Sequence, residues 1–144
     1  MKAIVDRGVG SWIERRARIA PNQAALIYGE WRCTYSELAN RVRRLAHGFS
    51  KLGVQPGDRI GWLGANHPAF LEVLFATAKL GAVMAPVNHR LDHAVITDVL
   101  AGYSPTVVVV EQTAVSVSLP SDLGFRVVVG TARGAEIDYE NLIA

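Results

Sequence analysis

The chain has a single cysteine, Cys33, among 144 residues. That excludes a disulfide framework and a cysteine-based metal site, and it fits a reducing, cytoplasmic compartment. It has no marked excess of charge: 15 lysines and arginines stand against 13 aspartates and glutamates, a net +2. This balance argues against a nucleic acid or other polyanion as partner, whatever the sequence pI of 8.9 suggests. No apolar run reaches the ~18 residues of a transmembrane segment. The opening MKAIVDRGVGSW lacks an apolar stretch of signal-peptide length. Several catalytic patterns are also missing. No Gly-x-Ser-x-Gly elbow supports a serine hydrolase, and no His-Glu-x-x-His supports a metal-dependent one. Gly61-Trp62-Leu63-Gly64 is not the dinucleotide fingerprint, and Gly61 is expected inside a strand. Gly130-Thr131-Ala132-Arg133-Gly134 lacks the lysine and hydroxyl ending of a phosphate loop and reads as a surface turn. His89 and His93 are four apart, but His89 precedes the helix, so coincidence is favoured over a metal pair. No catalytic residue and no metal ligand is assigned.

What the chain does have is apolar content, 50% of residues with a mean hydropathy of +0.20. That is one domain's worth of chain, able to bury a core. It is rich for a free-standing domain, so some apolar surface is expected to lie against another part of a larger protein. No repeat or low-complexity linker interrupts it.

Residues 57–91 organise the rest. Gly57-Asp58 opens a short apolar strand over 59–63. Asn66-His67-Pro68 supplies a cap, with Asn66 as the capping residue, and a proline in the first helical turn. Leu71, Leu74, Phe75 and Ala78 recur at helical spacing, and Gly81 closes the helix as a left-handed cap. A second strand covers 83–87. Two strands joined by such a helix are parallel, with a right-handed crossover.

Upstream, 9–19 reads as a basic amphipathic helix with Trp12, Ile13, Arg16 and Ile19 framing its inner face and flank, stopped by Pro21. Arg15, Arg16 and Arg18 resemble an anion site, though a solvated face is the favoured reading. Gly29-Glu30 suits a type II′ hairpin between 24–28 and 31–33. Thr34-Tyr35-Ser36-Glu37 is a capping box, followed by a buried stripe of Leu38, Val42, Leu45, Phe49 and Leu52. Arg41, Arg43, Arg44 and Lys51 lie away from that stripe, and Gly53 ends the helix. Downstream come a helix over 92–101, with Val95, Ile96, Val99 and Leu100 inward and Gly102 as terminator, and buried strands over 106–110 and 125–129. Residues 111–124 fit a strand through Val115, Val117 and Leu119 or an irregular or helical crossover equally. A short helix is expected over 137–143. The fold class is therefore α/β: a doubly wound, mostly parallel sheet of four strands with flanking helices and an N-terminal β-hairpin, in a single domain over 1–144.

In such a sheet the functional edge is where strands end. That edge carries Gly64-Ala65-Asn66-His67, Asn88-His89-Arg90, Glu111-Gln112 and Gly130-Thr131. Asn88, His89 and Arg90 are the substrate-contact candidates. Each edge residue also has a plainer role: Asn66 as a cap, Asn88 in a turn, His67 and His89 in solvated loops.

The order of motifs carries a further signal. Trp12 with Ala17 and Pro21 is followed by Thr34-Tyr35-Ser36-Glu37-Leu38. Leu45-Ala46 precedes Gly53-Val54 and Gly57-Asp58-Arg59-Ile60. Then come Asn66, Ala78-Lys79-Leu80-Gly81-Ala82-Val83, Pro86-Val87-Asn88 with Arg90-Leu91, and Asp138-Tyr139-Glu140-Asn141-Leu142. This succession resembles the N-terminal portion of the adenylate-forming ligases: acyl-CoA synthetases, aryl-CoA ligases, fatty acyl-AMP ligases and their luciferase relatives. The resemblance implies an ATP-dependent acid–thiol ligase. A fatty or aryl carboxylic acid attacks the α-phosphate of ATP, giving an acyl-adenylate and pyrophosphate, and coenzyme A takes the acyl group, with Mg2+ on the phosphates. Such ligases run to several hundred residues. Their phosphate loop and its lysine, magnesium-positioning acid, ribose aspartate and C-terminal lysine lie beyond residue 144. The resemblance thus implies an N-terminal fragment, inactive alone and binding none of ATP, Mg2+ or CoA, whose partner is the remainder of the ligase chain; a homodimer stays open. The alternatives are a non-catalytic association module and an independent nucleotide-binding, flavodoxin-like domain.

Overall fold

The computed structural model describes residues 8–113 and 118–144. Five parallel strands form the central sheet: β3 (Arg59–Leu63), β4 (Val83–Val87), β5 (Val107–Glu111), β6 (Phe125–Val129) and β7 (Ile137–Asp138). Their order, β4-β3-β5-β6-β7, starts from a central strand, steps outward once and then builds in the other direction. It is the flavodoxin-like order of doubly wound sheets. The antiparallel hairpin of β1 (Ala24–Tyr28) and β2 (Trp31–Thr34) stands as a separate two-stranded sheet. Its turn has Gly29 at φ 57°, with Glu30 outside the positive region. Type II′ asks for this, whereas type I′ would need both residues there.

Reversing the direction of strand addition puts helices on opposite faces. On one face α2 (Tyr35–Lys51), α3 (Pro68–Lys79) and α5 (Tyr139–Ile143), with Ile13 of α1 (Trp12–Ile19), cover Ile60, Trp62, Val107, Val109 and Val127. On the other, Ile96 and Leu100 of α4 (His93–Tyr103) cover Leu63, Val87, Val108 and Val110, joined by Leu119. The capping box of α2 is present in full: Glu37 N–H donates to Thr34 Oγ1 at 3.2 Å, and the Glu37 carboxylate accepts from Thr34 N–H at 2.8 Å. Leu38, Val42, Leu45 and Phe49 are buried as the stripe requires. Gly53 and Gly81 both take positive φ just past helix ends.

Several expectations are corrected. The sheet has a fifth strand, because Ile137-Asp138 pairs with β6 before α5 begins. A two-residue strand is too short to show alternation. In α1, Trp12 and Ile19 face solvent; Ile13 alone is buried in that helix. The buried face of α3 is Ala69, Glu72, Val73, Ala76 and Thr77, while Leu71, Leu74, Phe75 and Ala78 are half-buried. An apolar helix wedged between neighbours has no clean stripe to read. The α3 cap is His67, not Asn66: its Nδ1 accepts from Ala69 N–H at 3.1 Å. In α4, Val95 is exposed, Gly102 stays helical, and Ser104 at φ 49° makes the left-handed end. Of the 111–124 segment, Val115 lies outside the described residues, as does Val117; Leu119 is buried.

Candidate functional site

The C-terminal ends of β3 and β4 open into a cleft of about 470 Å3. Its floor is Trp62, Phe70, Pro86 and Val87; its rim is Gly64, Ala65, Asn66, Asn88, His89 and Arg90. Trp62 and Phe70 meet edge to face with centroids 5.6 Å apart, a rigid apolar wall. Asn88 turns the chain out of β4: its Oδ1 accepts from Arg90 N–H at 3.0 Å, and Leu91 N–H donates to its carbonyl at 3.3 Å. That Asx turn leaves Asn88 and Arg90 exposed and His89 half-buried. The structure therefore brings Asn66, Asn88, His89 and Arg90 to one cleft.

The other edge residues go elsewhere. His67 leaves its polar edge to cap α3, and its ring meets Tyr28 of the hairpin at 5.5 Å. Gln112 exchanges two 2.8 Å hydrogen bonds with the backbone of Thr131, tying the ends of β5 and β6 together. Residues 130–133 run on without opening a helix, so this segment offers no helix N-terminus to a phosphate.

Between β3 and β5, at the point where strand order reverses, the crevice is filled from within. Glu111 is buried there and accepts from the N–H and hydroxyl of Thr113. Burial alone would raise its carboxyl. The Thr113 hydroxyl and N–H, the Ala65 N–H and the nearby His67 outweigh that and hold it below the usual carboxylate range. A Cβ on Gly64 would lie 2.5 Å from the Glu111 Cβ, so only glycine permits this approach. A fixed, buried carboxylate repels phosphate, and among the described residues no three His, Cys, Asp or Glu could hold a metal ion. At this crevice the buried Glu111 carboxylate opposes the phosphates of ATP.

A second polar cluster joins three helices on the opposite side of α3. Arg41 Nε and Nη2 donate to Glu72 at 2.6 and 3.1 Å, and Nη2 and Nη1 donate to Glu140 at 2.8 and 3.0 Å. The Tyr139 hydroxyl donates to Glu72 at 2.7 Å. Burial first, and then the Glu72 charge, push the Tyr139 hydroxyl well above its ordinary value. The Glu140 hydrogen bonds lead in keeping Arg41 charged. Arg41, expected to lie away from the buried stripe of α2, does so and is tied there to the buried Glu72. The sequence signal was Glu72, an acid set in the apolar run PAFLEVLF. Glu111 left a similar one, ending a run of valines.

Comparison with known proteins adds the following. The model of the AMP-binding enzyme family matches residues 13–140. Feruloyl-CoA synthase of an Amycolatopsis species is 51% identical over 94 residues, covering 62% of this chain and 19% of that protein. Indoleacetate–CoA ligase of Aromatoleum aromaticum is 37% identical over 103 residues, covering 72% of this chain and 20% of that protein. A crystal structure from Rhodopseudomonas palustris, assigned as a long-chain-fatty-acid CoA ligase, superposes with a TM-score of 0.87 at 28% identity, over 97% of this chain and 37% of that one. The chain spans about a fifth of the length of the curated relatives it matches.

Proposed function

We propose, from the premise that this chain belongs to the AMP-binding enzyme family, that it is the N-terminal part of an acid–CoA ligase. The family match over 13–140 carries the reading. The parent enzyme joins a carboxylic acid to coenzyme A through an acyl-adenylate, at the expense of ATP and with Mg2+. An aryl acid is the favoured substrate class, supported by the names of the relatives that act on feruloyl and indoleacetate groups. Residues 1–144 form one α/β domain whose role is scaffolding. The remainder of the ligase is its partner and holds ATP, Mg2+ and CoA, because the strand-order crevice of this chain is occupied by Glu111. Among the described residues no helix is long and apolar enough to cross a membrane. With a single buried cysteine, a reducing cytoplasm is the proposed compartment.

Asn88, His89 and Arg90 contribute one rim of the acid's surroundings. Their placement around the Trp62–Phe70 wall supports this, since an apolar floor with a cationic edge matches an aryl carboxylate.

The test is ATP–pyrophosphate exchange by the 144-residue chain with ferulate, indoleacetate and a long-chain fatty acid. The expected result is no exchange with any of them. Robust exchange would overturn the scaffolding role.

A further inference from the structure

Among the described residues, the first helix docks by one side only. Ile13 is buried, Ala17 is half-buried, and Glu14 reaches Lys79 of α3 at 2.6 Å. At the ~100° per residue of an α-helix, the opposite side carries Arg18, Arg15, Ile19, Trp12 and Arg16 in angular order, with no acid among them. Trp12 is 54% exposed and Ile19 75% exposed. Arg16 is held by a 2.8 Å bond to Gln23 and stands 5.4 Å over the Tyr35 ring, while Arg15 and Arg18 are exposed. A single exposed isoleucine calls for no explanation. A tryptophan and an isoleucine set between arginines, on a helix fixed to the core by its other side, form a surface with two chemistries at once.

We infer that this face binds an anionic lipid bilayer. The helix lies parallel to the membrane, with Trp12 and Ile19 at the boundary of headgroups and acyl chains and Arg15 and Arg18 on lipid phosphates. Charge complementarity selects an anionic partner. The two apolar side chains select one with an apolar layer beneath its charges, which a free phosphate or an acidic peptide lacks. Glu14, the one acid of the helix, is next to Arg18 around the helix axis and is neutralised by Lys79 of α3 at 2.6 Å. The inference is independent of the acid-activating reading.

The experiment is co-sedimentation of the 144-residue chain with vesicles of phosphatidylcholine alone, and with vesicles containing about 30 mol% phosphatidylglycerol. Binding is expected to the anionic vesicles only, and to fall as salt rises from about 0.05 to about 0.5 M. Tryptophan emission shifts to the blue on binding, and Trp12→Ala removes the shift. Each arginine removed costs about fivefold in partitioning, so the pair Arg15→Gln and Arg18→Gln lowers it about twenty-five-fold. Arg59→Gln, at the start of β3, changes it little, which separates a local face from net charge. Circular dichroism confirms that each variant is folded. No binding to anionic vesicles, equal binding to both vesicle types, or unchanged binding by the double variant would overturn the inference. So would equal affinity for soluble polyglutamate, which would make the face one for an acidic protein.

Discussion

Replacing Arg41 by methionine separates two ion pairs that share one guanidinium. The distances to Glu72 and Glu140 are similar, 2.6 and 2.8 Å at their shortest, but Glu72 is 2% exposed and Glu140 67%. Methionine keeps much of the aliphatic stem and removes the charge. It leaves Glu72 as a buried carboxylate with Tyr139 as its one remaining side-chain donor. Removing one partner of a buried pair costs ~3–5 kcal/mol, and the lower end applies because Arg41 is itself 27% exposed. Arg41→Met is thus expected to cost about 3 kcal/mol. Glu140→Gln touches only the exposed pair and should cost less than about 1 kcal/mol. Changing Glu72 to methionine as well removes the stranded charge, and adding Tyr139→Phe removes the hydroxyl left without an acceptor. The triple variant should recover most of the loss. Urea unfolding followed by circular dichroism at neutral pH reads all four proteins. If Arg41→Met cost no more than Glu140→Gln, or if the triple variant were no better than the single, burial would not be what sets these energies.

Three further outcomes follow from the same geometry. Because the folded-state pKa of Glu111 is depressed, its contribution to stability is complete above the ordinary carboxylate range and is lost as pH falls through the folded value. Urea midpoints should drop on acidification in the wild type, and Glu111→Gln should flatten that part of the profile; identical profiles would refute it. Gly64→Ala places a methyl 2.5 Å from the Glu111 Cβ and should destabilise by ~1–3 kcal/mol, seen as a lowered urea midpoint with unchanged slope. Cys33 is buried, and burial, followed by the charges of Glu37 and Glu72, pushes its thiol up to about 11, so a disulfide reagent at pH 8 should label it only in denaturant. Labelling of the native protein at the rate of a free thiol would contradict that.

The parallel sheet was legible because its strands and crossovers are written in local terms. The valine run ending at Val110, the capping box at Thr34 and the glycines past α2 and α3 each act within a few residues. The buried face of α3 was not legible, since which side of an apolar helix meets the core depends on what surrounds it. Trp12 and Ile19 misled for the complementary reason: apolar spacing predicts a buried face, but among the described residues α1 has neighbours on one side only. At the strand-end edge, the sequence could order the polar residues along the chain. It could not tell that Glu111 and Gln112 would be used internally while Asn88, His89 and Arg90 would share a cleft, because that division follows from strand order.

The central claim is that this chain is ligase scaffolding that becomes part of an acid-activating enzyme only with the rest of such a chain. Its most direct test replaces the matching segment of the Amycolatopsis feruloyl-CoA synthase, to which this chain is 51% identical over 94 residues, with the corresponding residues of this chain. The account predicts a folded chimera that forms feruloyl-CoA from ferulate, ATP and CoA, with Arg90→Ala raising KM for ferulate more than it lowers kcat. A folded chimera without activity, beside an active parent enzyme, would contradict it.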